Sequence, residues 1–159
     1  MSDSTVSEDA IVIERVFDAP TDIVWGMWTE PDHFKNWYGP QGFSIPLAEI
    51  ELTVGGKRMV CMESPDGTMK MCTTGEHLEV TPTSRLVYTE SMADADGNVM
   101  PMGEGNPGRT EVTVILEDVD GRTKMVLTHA GVPADSPGAT GWNQAFDKLT
   151  DYVGTVVKG

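Results

Sequence analysis

The sequence predicts an α+β fold, in which a curved antiparallel sheet of about seven strands grips a long C-terminal helix. The first observation is the spacing of the apolar residues. After an early segment with helical spacing, apolar and polar residues alternate along several segments that turn sequences separate, which is typical of strands. The second is the shortness of those turns, because tightly connected strands favour an antiparallel sheet, and a wide sheet twists and curls. The third is a C-terminal amphipathic helix, whose apolar stripe finds its partner in the concave face of the sheet.

The N-terminal part of the chain is predicted to form one strand and two short helices. Residues 10–19 contain β-branched residues with partial alternation, which is typical of a strand. A proline then begins the first helix, which Thr21 or Asp22 can cap, and the second helix has Thr29 as its predicted cap. A Gly-Pro pair at residues 39–40 ends the second helix.

The remaining chain is predicted to form further strands and the long helix. The strands are separated by Gly, Pro and Asp turns and cover residues 44–52, 57–63, 69–80, 84–92, 109–118 and 122–129. Gly75 lies inside a long strand and predicts a bulge or a bend. Residues 93–108 are predicted to be a long surface loop. The helix begins at about Thr140, and its stripe at helical spacing comprises Trp142, Ala145, Phe146, Leu149, Tyr152, Val153 and Val156.

The composition indicates one globular domain over residues 10–159, preceded by a flexible tail at residues 1–9. The formal net charge is −14, from 25 acidic and 11 basic residues. This charge repels phosphate backbones and anionic bilayer surfaces, so nucleic acid is not an expected partner and neither is a membrane surface. The sequence has no apolar run long enough to span a bilayer and no signal peptide, so we expect a cytoplasmic protein without membrane insertion.

The two cysteines, Cys61 and Cys72, flank a strong hairpin turn with the sequence "SPDGT". A two-residue loop at residues 66–67 would place Cys61 opposite Cys72, whereas a turn closed by a bulged Gly67 would place Cys61 opposite Met71. Directly opposite cysteines make strained bridges and the cytosol keeps thiols reduced, so free thiols are expected. With no further cysteines nearby, a zinc site has little support. We predict no metal site and no cofactor.

Four segments of the chain resemble one family of known proteins, in the same order along the sequence. They read "APTDIVWGMWTEPDHFKNWYGP", "GEHLEVTPTSRLVYTES", "TEVTVILEDVDGRTKMVLTHAGVP" and "GWNQAFDKL", at residues 19–40, 75–91, 110–133 and 141–149. They are similar to the family related to the activator of the heat-shock protein 90 ATPase, within the superfamily of START-like and birch-pollen-allergen-like (SRPBCC) proteins. This resemblance implies the helix-grip fold, which has the predicted arrangement of sheet and helices.

The resemblance implies binding rather than a shared catalytic reaction. Members of the superfamily bind lipids, hormones or polyketides and some act as cyclases or hydrolases, but the family lacks a shared catalytic constellation. We therefore predict a binding protein for a small hydrophobic molecule, held in a cavity between the helix and the sheet. A cyclase or hydrolase that uses the same cavity is the first alternative. Binding is predicted in preference to enzyme activity. The oligomeric state does not follow from the sequence.

A chaperone-related protein–protein module is the second alternative, and the family name implies it. Chaperone activators proper pair this domain with a second one. A module of this kind would need an exposed apolar patch, either around Tyr38 or at Met100 and Met102 in the predicted loop.

The candidate ligand-binding residues are large aromatic and methionine side chains. Aromatic residues where the short helices meet the sheet can pack the core or line a pocket for an apolar ligand, and both roles stay open for Trp37 and Tyr38. Methionine is flexible and suits either role. The predicted set comprises Trp28, Phe34, Trp37, Tyr38, Met59, Met71, Tyr88, Met125, Trp142 and Phe146.

The candidate catalytic residues are His129, which ends a strand, and Glu90 as the acid to test first. His77 and Glu76 are neighbours on a strand and therefore point to opposite faces, which argues against their pairing. His33 is expected on an exposed helix turn. No combination of a serine or cysteine with a histidine and an acid stands out as a catalytic triad.

Overall fold

The computed structural model describes residues 10–39, 42–94, 110–131 and 137–158 of the chain. Within these ranges, seven strands form one sheet. They are β1 Ala10–Phe17, β2 Ser44–Ile50, β3 Lys57–Glu63, β4 Lys70–Thr81, β5 Arg85–Ala93, β6 Thr110–Val119 and β7 Arg122–Ala130. The helices in these ranges are α1 Thr21–Thr29, α2 Pro31–Phe34 and α3 Pro137–Lys158. Of the helices described, none is long and apolar enough to cross a bilayer.

Two predicted features lie outside the described residues. They are the tail at residues 1–9 and most of the predicted loop at 93–108, of which only Ala93 and Asp94 are described. Met100 and Met102 belong to the undescribed part of that loop.

All neighbouring strands of the sheet are antiparallel, in the order β1-β7-β6-β5-β4-β3-β2. The consecutive strands from β2 to β7 form a meander, and β1 joins it beside β7, so β1 and β2 are the edges of the sheet. The sheet curls into a half-barrel that holds α3. The structure thus confirms the predicted helix-grip fold, with two short helices after the first strand.

The helices begin at or beside prolines rather than at the predicted capping side chains. Pro20 occupies the cap position of α1 in place of Thr21 or Asp22 and makes no side-chain cap bond. The carboxylate of Asp22 accepts a hydrogen bond from the N–H of Ile23 in the first turn instead (2.9 Å). The hydroxyl of Thr29 donates to a carbonyl inside α1 and does not cap α2. The helix α3 begins at Pro137, slightly earlier than predicted, because the fixed φ of proline suits the first turn of a helix.

The hydrophobic core lies between the inner face of the sheet and α3. Along β7, Thr123, Met125, Leu127 and His129 are buried and the residues between them are half-buried, which is the alternation of a strand with one face in the core. The predicted stripe is the face that α3 buries, and its buried members are Trp142, Ala145, Phe146, Leu149 and Val153.

A disulfide joins Cys61 of β3 to Cys72 of β4. The two residues are directly opposite in the strand register, with their Cα atoms 4.0 Å apart. On the outer face of the sheet they pack together with Leu47, Met59 and Ala93. The prediction of free thiols is therefore wrong, because the register brings the two sulfur atoms within bonding distance.

The turn between β3 and β4 sets this register. Asp66 accepts hydrogen bonds from the backbone N–H and the hydroxyl of Thr68 (3.1 and 2.8 Å) and from the hydroxyl of Ser64 (2.8 Å). Gly67 has a φ of 76°, a left-handed conformation that favours glycine. Of the two registers left open by the sequence, the structure has the one with the two cysteines opposite each other.

Gly75 allows β4 and β5 to approach each other closely. A Cβ atom at this position would overlap the carbonyl oxygen of Thr89 on β5. The strand pairing is irregular between His77 and Glu79, so the bulge predicted at Gly75 lies slightly further along the strand. On its other side Gly75 is paired with Arg58 of β3, and it leaves that part of the inner face without a side chain.

We expect the double variant Cys61→Ala/Cys72→Ala to have a free energy of unfolding about 3 kcal/mol lower than the native protein, because the bridge restricts the unfolded chain. The two cysteines are 11 residues apart in sequence, which sets the size of this effect. Urea unfolding followed by circular dichroism measures the difference. Reductant should bring the native protein to the level of the variant and leave the variant unchanged. Equal stability of the oxidised and fully reduced native protein would contradict the expectation.

Candidate functional site

Aromatic rings from α1, α2, the turn after α2 and α3 pack together on the inner face of the sheet. We call this group the aromatic cluster, and its members are Trp28, Phe34, Trp37, Tyr38, Trp142 and Phe146. Ring centroids are 4.9 Å apart for Trp28 and Trp37 and 4.4 Å apart for Phe34 and Tyr38. Tyr38 and Trp142 are 7% exposed, and the other rings have no exposed surface. The cluster is therefore a tightly packed part of the core.

Hydrogen bonds hold the buried indole rings of this cluster in place. Trp37 Nε1 donates to the carbonyl of Met27 (3.0 Å). Trp28 Nε1 donates to the sulfur of Met125 on β7 (3.3 Å). Because these bonds satisfy the buried N–H groups and fix the orientation of the rings, the cluster forms a rigid wall.

Polar side chains lie beside the aromatic cluster, and we call Tyr38, Glu90, Thr110 and His129 the acid–base cluster. The hydroxyl of Tyr38 donates to Glu90 Oε2 (3.2 Å), and His129 Nε2 lies 3.7 Å from Glu90 Oε1. The same nitrogen is 2.8 Å from Thr110 Oγ1. Both candidate catalytic side chains face the interior, since His129 is 10% exposed and Glu90 14% exposed.

The environment of His129 favours its neutral form. Trp142 Nε1 donates to His129 Nδ1 (3.0 Å), so this nitrogen is an acceptor and the proton of the neutral ring lies on Nε2. Burial lowers the pKa of His129, and Glu90 opposes this effect. Burial also raises the pKa of Tyr38 well above its ordinary value, and the negative charge of Glu90 adds to the increase. A neutral imidazole and a neutral phenol thus surround one carboxyl group, an arrangement that can transfer protons.

Arg58 of β3 is buried in a stack of aromatic rings. Its guanidinium carbon lies 3.6 Å from the ring centroid of Tyr88 and 5.4 Å from that of Phe34, and Phe34 stacks in turn on Tyr38. Arg58 crosses β4 to reach Tyr88 on β5, because Gly75 on the intervening strand has no side chain. We call Tyr88, Arg58, Phe34 and Tyr38 the arginine stack.

His77 adds a further buried polar group beside the arginine stack. It lies directly opposite Tyr88, and its Nδ1 is 3.2 Å from the carbonyl oxygen of Gly56. Burial and the Arg58 cation lower the pKa of His77, and burial raises the pKa of Tyr88. Within the described part of the chain, no hydrogen-bond partner exists for His77 Nε2, for the hydroxyl of Tyr88 or for Nη1 and Nη2 of Arg58.

Half-buried methionines lie on the inner face of the sheet at β3, β4 and β5. We call Met62, Met71 and Met92 the methionine rim. Met62 is directly opposite Met71 in the register. The chain after α2 passes above them, since a Cβ atom at Gly39 would lie 3.4 Å from the sulfur of Met62. The rim therefore provides a flexible apolar edge next to Tyr38.

The structure brings most of the predicted ligand-binding residues together. Beyond the aromatic cluster itself, Met125 contacts Trp28, Tyr88 belongs to the arginine stack and Met71 to the methionine rim. Met59 does not share this space, because it lies beside the disulfide on the outer face. It borders a surface groove of about 410 Å³, which is lined by Glu49, Ile50, Glu51, Lys57, Arg58, Met59 and Thr74. A shift of one residue along a strand is enough to reverse a face in this way.

Three further residues of the inner face were not predicted from the sequence. Met92 could have been found, because Tyr88, Glu90 and Met92 alternate along one strand and share a face. Met62 follows once the register of the cysteines is known. Arg58 gives no local signal, since a single cation in an alternating strand is more typical of a solvated face.

The other two histidines lie away from the acid–base cluster. His77 is fully buried while Glu76 is exposed, so the two side chains point to opposite faces as predicted. His33 is half-buried rather than exposed, because its Nδ1 is 2.8 Å from the hydroxyl of Tyr152 on α3.

Comparison with known proteins finds one matching family and many solved structures of the same fold. The family described as Activator of Hsp90 ATPase homolog 1-like protein matches residues 18–154. A crystal structure of a protein from Chromobacterium violaceum is 26% identical, with a TM-score of 0.78, over 91% of this chain and 96% of that one. No curated protein matches the chain.

Two more distant structures show the fold alone. The solution structure of a protein from Arthrobacter aurescens is 24% identical, with a TM-score of 0.79, over 96% of this chain and 90% of that one. The AHSA1 protein from Silicibacter pomeroyi is 18% identical, with a TM-score of 0.73, over 92% of this chain and 98% of that one. The family match spans the elements from α1 to α3, and the chain therefore belongs to the family of Activator of Hsp90 ATPase homolog 1-like proteins.

Proposed function

We propose that this protein binds a small, mostly apolar molecule between α3 and the inner face of the sheet. The observation that carries the proposal is the packing of Met62, a half-buried member of the methionine rim, against the core that contains the rigid aromatic cluster. Ligand sites are typically lined by aromatic side chains with a few polar groups, and methionines adapt to ligands of irregular shape. The SRPBCC superfamily commonly binds hydrophobic ligands, which supports the same function.

The ligand would enter at the methionine rim rather than through the aromatic cluster. Trp28 and Phe146 have no exposed surface, so displacing them would disrupt a close-packed core. Met62 and Met71 are half-buried, and their rotatable side chains can change conformation at a small cost in free energy. Tyr38 keeps a small exposed surface and precedes Gly39, which lies beside Met62, and it is therefore the ring that a ligand would contact first.

Methionine-methyl NMR tests where a ligand binds. In a titration of methyl-labelled protein with dodecanol, we expect the largest chemical-shift changes at Met62 and Met71. Met59 on the outer face and Met69, which is 51% exposed in the turn region, are the matched controls and should not change. Changes at Met59 without changes at Met62 would place the ligand in the surface groove that Met59 borders, and this would contradict the proposal.

We expect the substitution Met62→Gln to weaken dodecanol binding by about five- to tenfold, because a polar amide would have to lose water when the ligand covers it. The side chain keeps a similar length, and Met59→Gln is the matched control with unchanged affinity. Quenching of tryptophan fluorescence measures the Kd of each protein. An unchanged Kd for Met62→Gln, or a loss confined to Met59→Gln, would argue against binding at the rim.

A second candidate function is acid–base catalysis in the same space, and the acid–base cluster favours it. Glu90 can accept a proton from a bound molecule, while the neutral His129 carries one on Nε2. The cyclase or hydrolase alternative required both groups to face the interior, which they do. The chaperone-related alternative required an exposed apolar patch at Tyr38, whereas Tyr38 is 7% exposed. Met100 and Met102 lie outside the described residues.

We expect Glu90→Gln to lower the pKa of His129 further, because the carboxylate is the group that favours the charged imidazolium. An NMR titration of the histidine ring protons measures this change, with His33 as the control. Since the pKa of His129 is lower in the folded than in the unfolded chain, its contribution to stability is complete above about pH 6.5 and is lost as the pH falls towards the folded value. The variant should therefore lose more stability than the native protein in acid. A raised or unchanged pKa of His129 in Glu90→Gln would contradict the interaction between His129 and Glu90.

A further inference from the structure

Arg58 is a buried cation whose terminal nitrogens lack hydrogen-bond acceptors. It is 4% exposed, and neither Nη1 nor Nη2 has a partner within the part of the chain that the structure describes. Arg15 and Arg85, by contrast, form ion pairs of 3.0 and 2.9 Å with carboxylates. A buried charge without a partner costs free energy, so the geometry points to a complementary group that is not part of the described chain.

The rings against which Arg58 packs do not supply a negative charge. Tyr88 and Phe34 offer ring faces, which attract a cation but cannot neutralise it. Burial raises the pKa of Tyr88, so its hydroxyl stays protonated. Burial and Arg58 together lower the pKa of His77, so its ring is neutral near pH 7. Arg58 therefore carries the one full charge among the four residues of the arginine stack.

We propose that Arg58 binds the carboxylate of an amphipathic ligand, whose apolar body lies along the inner face towards the methionine rim. This inference rests on the proposed function, because it assigns the polar end of the same ligand. Nη1 and Nη2 form a planar edge that can donate to both oxygens of a carboxylate. Tyr88, whose ring lies against the guanidinium, has a hydroxyl that also lacks a partner among the described residues and is a further donor.

The inner face of β3 leads from Arg58 to the methionine rim. Arg58, Val60 and Met62 alternate with outward-facing residues, so they point to the same side over about 13 Å. Val60 belongs to the hydrophobic core, so the side chain between the cation and the rim is apolar. A ligand held by its carboxylate at Arg58 would therefore extend an apolar body along this side of β3 towards the half-buried Met62.

The local balance of charge favours a carboxylate over a phosphate group. Glu90 follows Tyr88 on the same inner face of β5, and the charges of both Glu90 and Arg58 act on Tyr88. A doubly charged phosphate would leave an excess of negative charge near Glu90, which is unfavourable in a buried site. A carboxylate neutralises Arg58 without this excess.

Calorimetric titration with dodecanoic acid, dodecanol and dodecyl phosphate tests the proposal, because the probes differ only in their head groups. For the native protein near neutral pH, we expect the Kd of the acid to be at least about tenfold lower than that of the alcohol. We also expect it to be lower than the Kd of the phosphate. In Arg58→Met, affinity for the acid should fall at least about tenfold, and the preference for the acid over the alcohol should be lost.

Arg85→Met is the matched control, because Arg85 is a half-exposed arginine on the outer face and its loss should leave the preference for the acid intact. Arg58→Lys, which keeps the charge without the planar edge, should retain part of the preference.

The outcomes separate this inference from the proposed function. Equal affinity of the native protein for the acid and the alcohol would overturn the role of Arg58 and leave the binding function standing. Tighter binding of the phosphate than of the acid would overturn the carboxylate class. No binding of any of these probes, nor of naphthalene-2-acetic acid and its alcohol analogue, would overturn both. Because the comparison of probes uses the native protein, it decides the matter even if Arg58→Met does not fold.

Discussion

The burial of the aromatic stripe of α3 is the interaction on which the rest of the structure depends. The rings of Trp142 and Phe146 lie 5.4 Å apart, and both contact Trp28 of α1. Without these rings, the curled sheet would expose its apolar inner face to water. The same helix also holds the polar groups in place, because Trp142 donates to Nδ1 of His129. Packing and site chemistry therefore depend on one element.

The inner face combines this apolar packing with charged groups that a purely structural core does not need. Glu90 accepts a hydrogen bond from Tyr38 and lies near His129, whereas Arg58 has only ring faces beside it. Among the described residues these two opposite charges do not form an ion pair with each other. Charges kept apart in a poorly solvated interior act strongly on a bound molecule. In the proposed binding site they would give the ligand a direction, with its acidic end at β3 and away from Glu90.

Local signals were sufficient to predict the order of the elements and the stripe of α3 from the sequence. Alternation, turn residues and helical spacing are properties of neighbouring residues, and the structure reproduces them from Ala10–Phe17 to Pro137–Lys158. The pairing of Cys61 with Cys72 could not be decided in this way, because two turn geometries differ by one residue in register. The same difference of one residue in register decides on which face of the sheet Met59 lies. Ligand contact by the aromatic residues stays a prediction, although helical spacing brought them together as expected.

Two of the features that sequence reasoning missed, the disulfide and the buried arginine, are connected through β3. Cys61 and Arg58 lie on opposite faces of this strand, and the register that pairs Cys61 with Cys72 also pairs Arg58 with Gly75. A slip of one residue in the register would turn Arg58 to the outer face. A slip of two residues would keep Arg58 on the inner face but set it opposite a residue that has a side chain. Since only the edge strand β2 lies beyond β3 on that side of the sheet, fewer neighbouring strands oppose such a slip. By fixing the register on the outer face, the disulfide stabilises the position of the arginine on the inner face.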